Sequence, residues 1–375
     1  VPNIPTKNIR EFTKSVAKAY KGGIQHSDFL NIAGYSKPGI GKSECMNKLG
    51  KNLGISVINR RLSQMFVTDI QGNPYNEELS DGEIKQRYSS PSYLPSKVLE
   101  GDNGILVLDE LNMASNVIAG MIQQLLDSRR IGDYVIPEGW MIVTCMNLRG
   151  HGAHVNELST PNNSRLIHYN IQEDLSVWIE DYASRPESRI HPLIISYLRE
   201  FPNHFYVMPR PGEKAYACPR TWKKVSQMLY CGLEEDIDAA IGSAVGNSFS
   251  QHYQLKDQLP SWEKVIKGDT TYVTNWSYSG ISIPYAATQA ALLVSEPKNV
   301  EKVVKFIHEK FGVEYTQIFI DSIISRIDSE WGVSDRDYAL AEKLSGVTID
   351  GNSDACDLFQ EIRKTVNEIE SSFNG

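Results

Sequence analysis

Residues 36–44 read SKPGIGKSE, and this stretch decides which fold the rest of the chain must fit. A phosphate-binding loop has a glycine, four further residues, and then Gly-Lys-Ser or Gly-Lys-Thr. Gly41, Lys42 and Ser43 complete the second half of that pattern, but Ser36 stands where the first glycine belongs. The stretch is a phosphate loop with one departure, so its context must distinguish a binding site from a glycine-rich turn.

That context is a strand before the loop and a helix after it. DFLNIAG (28–34) is a short apolar strand, and apolar residues in 45–53 recur at helical spacing. Amide groups at the start of such a helix point at bound phosphates. Lys42 would reach the β- and γ-phosphates of a nucleotide, and the Ser43 hydroxyl would ligate Mg²⁺. The expected nucleotide contacts are the residues of the whole stretch: Ser36, Lys37, Pro38, Gly39, Ile40, Gly41, Lys42, Ser43 and Glu44.

Two acidic residues and an asparagine follow later strands. GILVLDE (104–110) is an apolar strand that ends in Asp109 and Glu110, and Asn147 follows the strand WMIVTCM (140–146). Ligands of open α/β sheets bind at the carboxyl ends of the strands. Asp109 would hold Mg²⁺ directly or through water, and Glu110 would act as general base. Asn147 could orient the attacking water, but an asparagine after a strand is also a common turn residue, and without further context that alternative is favoured.

Strands that alternate with helices predict a mostly parallel sheet between helical layers, an αβα sandwich with five strands. The strands are predicted at 28–34, 55–59, 104–110, 140–145 and 166–171. A helix is predicted over 8–20, and the polar residues 64–100 are predicted to form an inserted loop region with little core. Helical patterns dominate from about residue 173. The predicted domains are an α/β core over 1–187, an α-helical lid over 188–297 and a helical C-terminal extension over 298–375.

In this order, these motifs resemble the AAA+ ATPases of the MoxR family, and most closely a bacterial and phage group of MoxR-like ATPases. The resemblance is carried by KPGIGKS, RLSQMFVTDIQG, GILVLDELNMA, QQLLDSRRIGDYVIPEGWMIV, SRLIHYNI and CPRTW. It covers about residues 28–230 well and extends faintly to about 295. It implies an AAA+ P-loop NTPase fold, ATP and Mg²⁺ as ligands, and Asn147 as the first sensor of the nucleotide.

The resemblance also assigns arginines. Arg165 matches the arginine finger that reaches the nucleotide of a neighbouring subunit, although Ser164 and Leu166 depart from the family's pattern. Arg129 and Arg130 are the alternatives for that contact in trans. In CPRTW, Arg220 matches the second sensor at the start of a lid helix; the alternative is a surface arginine after a helix-starting proline. Asp69 and Gly72 match the family's Asp-x-x-Gly, without an assigned role.

Composition limits the partners. The formal net charge of −8 over 375 residues does not favour broad binding to nucleic acid. No apolar run is long enough to span a bilayer, so no membrane partner is expected. The five scattered cysteines are expected to be reduced, buried thiols of a cytoplasmic protein. His151 and His154 form an HxxH pair on a loop, where a zinc site is not expected.

The function implied by the resemblance is Mg²⁺-dependent ATP hydrolysis by a homo-oligomer, a hexameric ring, that remodels a client protein. Members of this family often act beside a protein with a von Willebrand factor A-type domain. Two alternatives stay open: a nucleic-acid motor, and an ATP-gated scaffold with little turnover. The client, the ring size, the choice between ATP and GTP and the role of residues 300–375 are not determined by the sequence.

Overall fold

The structure, a computed structural model, describes residues 4–148, 157–209, 212–271, 281–327, 334–347 and 359–367. Contacts divide the chain into two compact units, Val1–Asp174 and Leu175–Gly375. This division falls before the boundary predicted at 187. The separate C-terminal extension over 298–375, to which no role is assigned, stays a prediction.

The first unit contains the strands. They are β1 (Thr6–Asn8), β2 (Ile32–Ser36), β3 (Ser56–Arg61), β4 (Pro74–Glu78), β5 (Ile84–Tyr88), β6 (Asn103–Asp109), β7 (Arg130–Ile131), β8 (Tyr134–Val135), β9 (Gly139–Asn147) and β10 (Ile167–Gln172). Its helices are α1 (Ile9–His26), α2 (Lys42–Leu53), α3 (Val67–Gln71), α4 (Lys97–Glu100), α5 (Asn116–Ser128) and α6 (Thr160–Asn163).

Six strands form one sheet in the order β1-β10-β2-β9-β6-β3, and every pair in it is parallel. The predicted parallel α/β fold is confirmed, with one strand more than the predicted five. The extra strand, β1, is only three polar residues long and pairs at the edge with β10, so no apolar pattern marks it. The central strands β6 and β9 are apolar on both faces, as a sheet covered on both sides requires.

Helices cover both faces of this sheet. A Cβ on Gly34 of β2 would lie 2.8 Å from the ring of Phe12, so α1 packs closely on that face. The neighbouring Ala33 belongs to a core cluster with Ile118 and Leu125 of α5. Successive residues of a strand point to opposite faces, so α1 and α5 lie on opposite sides of the sheet.

The segment 64–100 contains more structure than the predicted loop. It holds α3, an antiparallel hairpin of β4 and β5, and α4. Ile70 and Leu94 are buried in the core beside α5. The sequence is polar because the hairpin strands are mostly exposed, and the few anchoring apolar residues are too far apart to form a pattern.

The second unit is helical in the described residues. Its helices are α7 (Leu175–Trp178), which continues into a π-helical turn (Ile179–Ala183), α8 (Pro192–Glu200), α9 (Pro219–Tyr230), α10 (Asp238–Ile241), α11 (Ser243–Tyr253), α12 (Trp262–Lys267), α13 (Ser282–Val294), α14 (Val300–Phe311), α15 (Val313–Ile327), α16 (Asp335–Ser345) and α17 (359–367). One core cluster lies mainly among residues 178–253, and a second joins Trp262 and Leu292 to Val300, Phe319 and Phe359. The second cluster therefore packs residues from both sides of the boundary predicted at 297.

The cysteines differ in part from the expectation that they are buried. The four cysteines that are described have free thiols, but Cys231 is exposed and Cys45 is half-buried, so the expectation of burial is wrong for these two. No helix in the described residues is long and apolar enough to cross a membrane. His151 and His154, like Cys356, lie outside the described residues.

Candidate nucleotide-binding site

The phosphate loop lies between β2 and α2. Gly39 and Gly41 have φ angles of 84° and 97°, which side chains other than glycine rarely adopt. A Cβ on Gly41 would meet no atom within 4 Å, so the space in front of the loop is open at this point. Gly41 also places no side chain over the first turn of α2. The amide groups at the start of α2 are therefore suited to bind an anion.

Ser36 is the last residue of β2 and is fully buried. Its hydroxyl donates to the carbonyl of Lys37 at 2.7 Å and accepts a hydrogen bond from the ammonium group of Lys42. Lys37 forms an ion pair with Glu173. The residue in place of the first glycine therefore contacts the lysine expected to bind phosphate, and the loop accommodates its side chain.

The two expected magnesium ligands lie together. The Ser43 hydroxyl donates to Asp109 Oδ2 at 3.2 Å. Ser43 lies in the first turn of α2 and Asp109 ends β6, so the fold brings these two residues together. An oxygen pair of this kind fits Mg²⁺, which binds one or two protein oxygens and otherwise retains water and phosphate ligands.

Glu110 follows β6 in a left-handed conformation with φ 61°. Its backbone N–H donates to the carbonyl of Cys145 at 2.8 Å, which fixes the residue at the sheet edge. Its carboxylate accepts a hydrogen bond from the Ser63 hydroxyl and lies 3.5 Å from Arg61 Nε. The expected general base is therefore held by Arg61, the last residue of the neighbouring strand β3, and by Ser63, two residues further along the chain.

Sequence reasoning missed Ser63 and Arg61 as members of this site. The signal that would identify them is the strand order. Arg61 pairs with Asp109 across β3 and β6, so polar residues at the end of β3 must lie beside the acids. That register becomes visible only when the two strands are known to be neighbours.

Asn147 is the last residue of β9, and its register partner in the sheet is Ser36. Its amide lies 3.6 Å from the Met113 sulfur, and its backbone carbonyl accepts from Asn112 Nδ2 at 2.8 Å. Asn147 thus lies at the end of β9, beside the strand β2 that leads into the phosphate loop. Asp109 and Glu110 lie at the same edge of the sheet.

The part of the sheet next to this edge is buried. Cys145 is fully buried in β9, and burial raises the pKa of its thiol to about 12, while the charge of Lys42 acts in the opposite direction. The thiol is therefore neutral and belongs to the floor of the site.

The three arginines considered for a contact in trans have different surroundings. Arg165 lies between α6 and β10 and forms an ion pair with Asp127 at 2.9 Å. Arg129 has its partners within its own chain. Its Nη2 donates to two carbonyls, and its guanidinium lies 5.5 Å from the ring centre of Phe29. Burial lowers the pKa of Arg129. Arg130 is exposed and bonds only to the nearby carbonyl of Gly132 among the described residues.

Arg220 belongs to the second unit. It is exposed in the first turn of α9, directly after Pro219. A cavity of about 610 Å³ in this unit is lined by Arg220 together with Lys214 and Lys224. The role of Arg220 as a sensor stays a prediction.

Asp69 and Gly72 have structural roles. Asp69 accepts a hydrogen bond from the backbone of Phe66 at the start of α3. Gly72 has a φ of 85°, and a Cβ there would lie 1.8 Å from the carbonyl oxygen of Ser89. These contacts explain both residue types without chemistry.

The parallel sheet and the glycine loop between β2 and α2 are those of the P-loop NTPase class. No protein-family model matches the sequence, and no curated protein matches it. Among solved structures, the RuvB Holliday junction branch migration motor of Thermotoga maritima is similar at 14% identity and a TM-score of 0.39, over 69% of this chain and 74% of that one. A candidate ATPase from Cytophaga hutchinsonii is similar at 12% identity and a TM-score of 0.30, over 71% of this chain and 95% of that one. Likeness at this level carries no argument about what this chain does.

Proposed function

We propose that this chain is a Mg²⁺-dependent ATPase of the AAA+ class. The proposal rests on one observation: Lys42 and Ser43, in the first turn of α2, lie at the sheet edge where Asp109, Glu110 and Asn147 are found. A motif alone can occur by chance, whereas the chemistry of phosphoryl transfer needs a phosphate cradle, a metal ligand and a base at one place.

Each residue has one task in this proposal. Lys42 exchanges its bond to the Ser36 hydroxyl for a contact with the β- and γ-phosphates. Ser43 and Asp109 supply the oxygens for the metal, which neutralises charge on the phosphates when it is bound. Glu110 accepts a proton from the attacking water, and the Asn147 amide orients that water.

In this proposal the Glu110 carboxylate exchanges its present hydrogen bond to Ser63 for one to the attacking water. A hydrogen bond to a charged group contributes ~1.5–3 kcal/mol, so this exchange is within the reach of nucleotide binding.

We further infer that the chain works as a homo-oligomeric ring in which Arg165 acts on a neighbour's nucleotide. Arg165 is partly exposed. Its ion pair is with a mostly exposed carboxylate, Asp127, and its Nη1 donates to the carbonyl of Pro161 at 2.6 Å. Such surface pairs contribute ~0–1 kcal/mol, so the arginine can be released at low cost. A hexamer, a cytoplasmic location, remodelling of a client protein and a partner with a von Willebrand factor A-type domain are the finer proposals, and they rest on the sequence resemblance.

Affinity capture tests the choice of client. The Glu110→Gln protein is incubated with ATP and cell extract, and a Lys42→Ala protein serves as the control that cannot hold ATP. Recovery of the same protein only with Glu110→Gln supports remodelling of a protein. Recovery of DNA or RNA instead favours the nucleic-acid motor.

A further inference from the structure

Two arginines of the second unit are buried without adequate partners. Arg185 is 7% exposed and Arg326 is 1% exposed. The Nε atom of each is buried and has no hydrogen-bond partner in the described part of the chain. Buried polar groups are almost always hydrogen-bonded, and a buried charge that lacks a partner costs several kcal/mol. Two such groups in one place therefore require an explanation.

The partners that Arg326 does have are few. Its Nη1 lies 3.4 Å from Asp337 Oδ1, at the outer limit of a hydrogen bond, and its Nη2 donates to the carbonyl of Ser184. Asp337 is shared, because it also accepts from the Ser334 hydroxyl at 2.8 Å. Among the described residues, the carboxylate near Arg326 is therefore at a long hydrogen-bond distance and is shared with Ser334.

The charge balance of the cluster is positive. The charged groups that act on Arg326 are Asp337, which favours its charge, and Arg185 and Arg336, which oppose it. Burial is the largest influence, and it lowers the pKa of Arg326. Arg336 is satisfied elsewhere, by the carbonyls of Leu293 and Ser295. Arg336 also has the Glu296 carboxylate nearby. Asp337 is then the one carboxylate for Arg185 and Arg326, and one positive charge is left over.

A purely structural network would look different. Buried arginines that serve packing are paired with carboxylates or with several carbonyls. The Nε atom of Arg185 is buried and has no such partner in the described residues. The surroundings are otherwise polar and ordered: the Ser184 hydroxyl donates to Gln289 Oε1 at 2.8 Å, and Ser188 donates to the carbonyl of Arg185 at 2.7 Å.

We propose that Arg185 and Arg326 form a binding site for a phosphate-type oxyanion. The guanidinium group presents its donors in a fork that matches phosphate oxygens, and the left-over positive charge favours an anion. The site is formed by the segment that follows α7 and by residues of the helices α13, α15 and α16. The anion stabilises the packing of α15 and α16 on the segment 184–188, which joins the C-terminal helices to the start of the second unit.

The test is thermal unfolding in phosphate, with chloride at equal ionic strength as the reference. The Lys42→Ala protein is the background, so that the phosphate loop does not contribute. We expect a saturable rise in Tm of ~2–5 °C with inorganic phosphate, since a ligand that binds only the folded state stabilises it. Adding Arg185→Met removes this rise. Adding Arg189→Met, at an exposed position four residues along, retains it.

A second measurement separates binding from folding. Without phosphate, Arg185→Met is expected to unfold at the same temperature as its parent or higher, because it removes a buried charge whose Nε atom has no partner in the described residues. Isothermal titration should detect phosphate binding to the background protein and not to Arg185→Met. Glycerol phosphate in place of phosphate distinguishes a site for the free ion from one for a phosphoryl group of a larger molecule. Equal phosphate binding by Arg185→Met and its parent would overturn the proposal.

Discussion

The nucleotide edge of the sheet and the arginine cluster of the second unit handle charge in opposite ways. At the sheet edge the groups expected to bind ligand are bonded to one another: Lys42 to Ser36, Ser43 to Asp109, and Glu110 to Ser63. In the arginine cluster, the Nε atom of Arg185 has no such substitute among the described residues. A site whose groups pair among themselves can stand without ligand and exchange those bonds on binding. A site without substitute partners depends on its ligand for stability.

This difference leads to different expectations for mutants. Substitutions at the sheet edge should change binding and turnover while leaving stability in phosphate-free buffer nearly unchanged. Substitutions at the arginine cluster should change the response of stability to phosphate. The predictions below test the sheet edge, in order of decreasing effect.

Lys42→Ala should abolish ATP binding. The variant removes the ammonium group that would contact the β- and γ-phosphates, and no other described lysine lies on the first turn of α2. Binding is measured with a fluorescent ATP analogue. Lys51→Ala, at an exposed position in the last turn of the same helix, should bind like the wild type. Retained affinity in Lys42→Ala would show that the loop is a turn and not a site.

Arg165→Ala should retain ATP binding and lose most turnover in the assembled protein. Arginine fingers contribute ~10³–10⁵ in turnover where they act in trans. Phosphate release is measured at a protein concentration at which light scattering shows the oligomer. Unchanged turnover in Arg165→Ala, with a large loss in Arg130→Ala, would transfer the role to Arg130.

Ser63→Ala should raise basal turnover several-fold. In the proposal the Glu110 carboxylate gives up this hydrogen bond before it accepts a proton, and the variant removes the bond. Each ~1.4 kcal/mol corresponds to a factor of ten in rate. Turnover at saturating ATP is the readout, and Ser128→Ala, an exposed serine at the end of α5, is the control. A fall in turnover would mean that Ser63 positions the base for reaction.

Ser36→Gly should change ATP affinity by no more than a few-fold. Its hydroxyl contacts Lys42 but is buried at the end of β2, and the loop already accommodates it. Titration of both proteins with the ATP analogue gives the ratio of dissociation constants. A rise in affinity by orders of magnitude would mean that Ser36 blocks the site, and the loop would then be a degraded one.

Local patterns predicted the sheet and its acids because buried parallel strands are apolar throughout and their ends carry polar residues. The central strands around Leu106 and Ile142 and the positions of Asp109 and Asn147 follow from such patterns. The edge strand β1 and the pairing of Ser63 with Glu110 do not, since they depend on which strands become neighbours.

The arginine cluster could not be predicted from local sequence patterns. Arg185 precedes a proline in a polar stretch and reads as a surface residue, and Arg326 stands among the apolar residues of α15. Only the packing of distant segments reveals that both are buried. Burial without a partner is a property of the folded chain and has no local pattern in the sequence.

The central claim, that the sheet edge hydrolyses ATP, is tested most directly by Glu110→Gln. The substitution keeps the shape of the side chain and removes its ability to accept a proton from water. Phosphate release with ATP and Mg²⁺ is measured for both proteins, with binding of the ATP analogue measured separately. The account predicts turnover in the wild type, equal binding in both, and a loss of at least ~10² in the variant. Equal turnover in the two proteins, or none in the wild type, would contradict it.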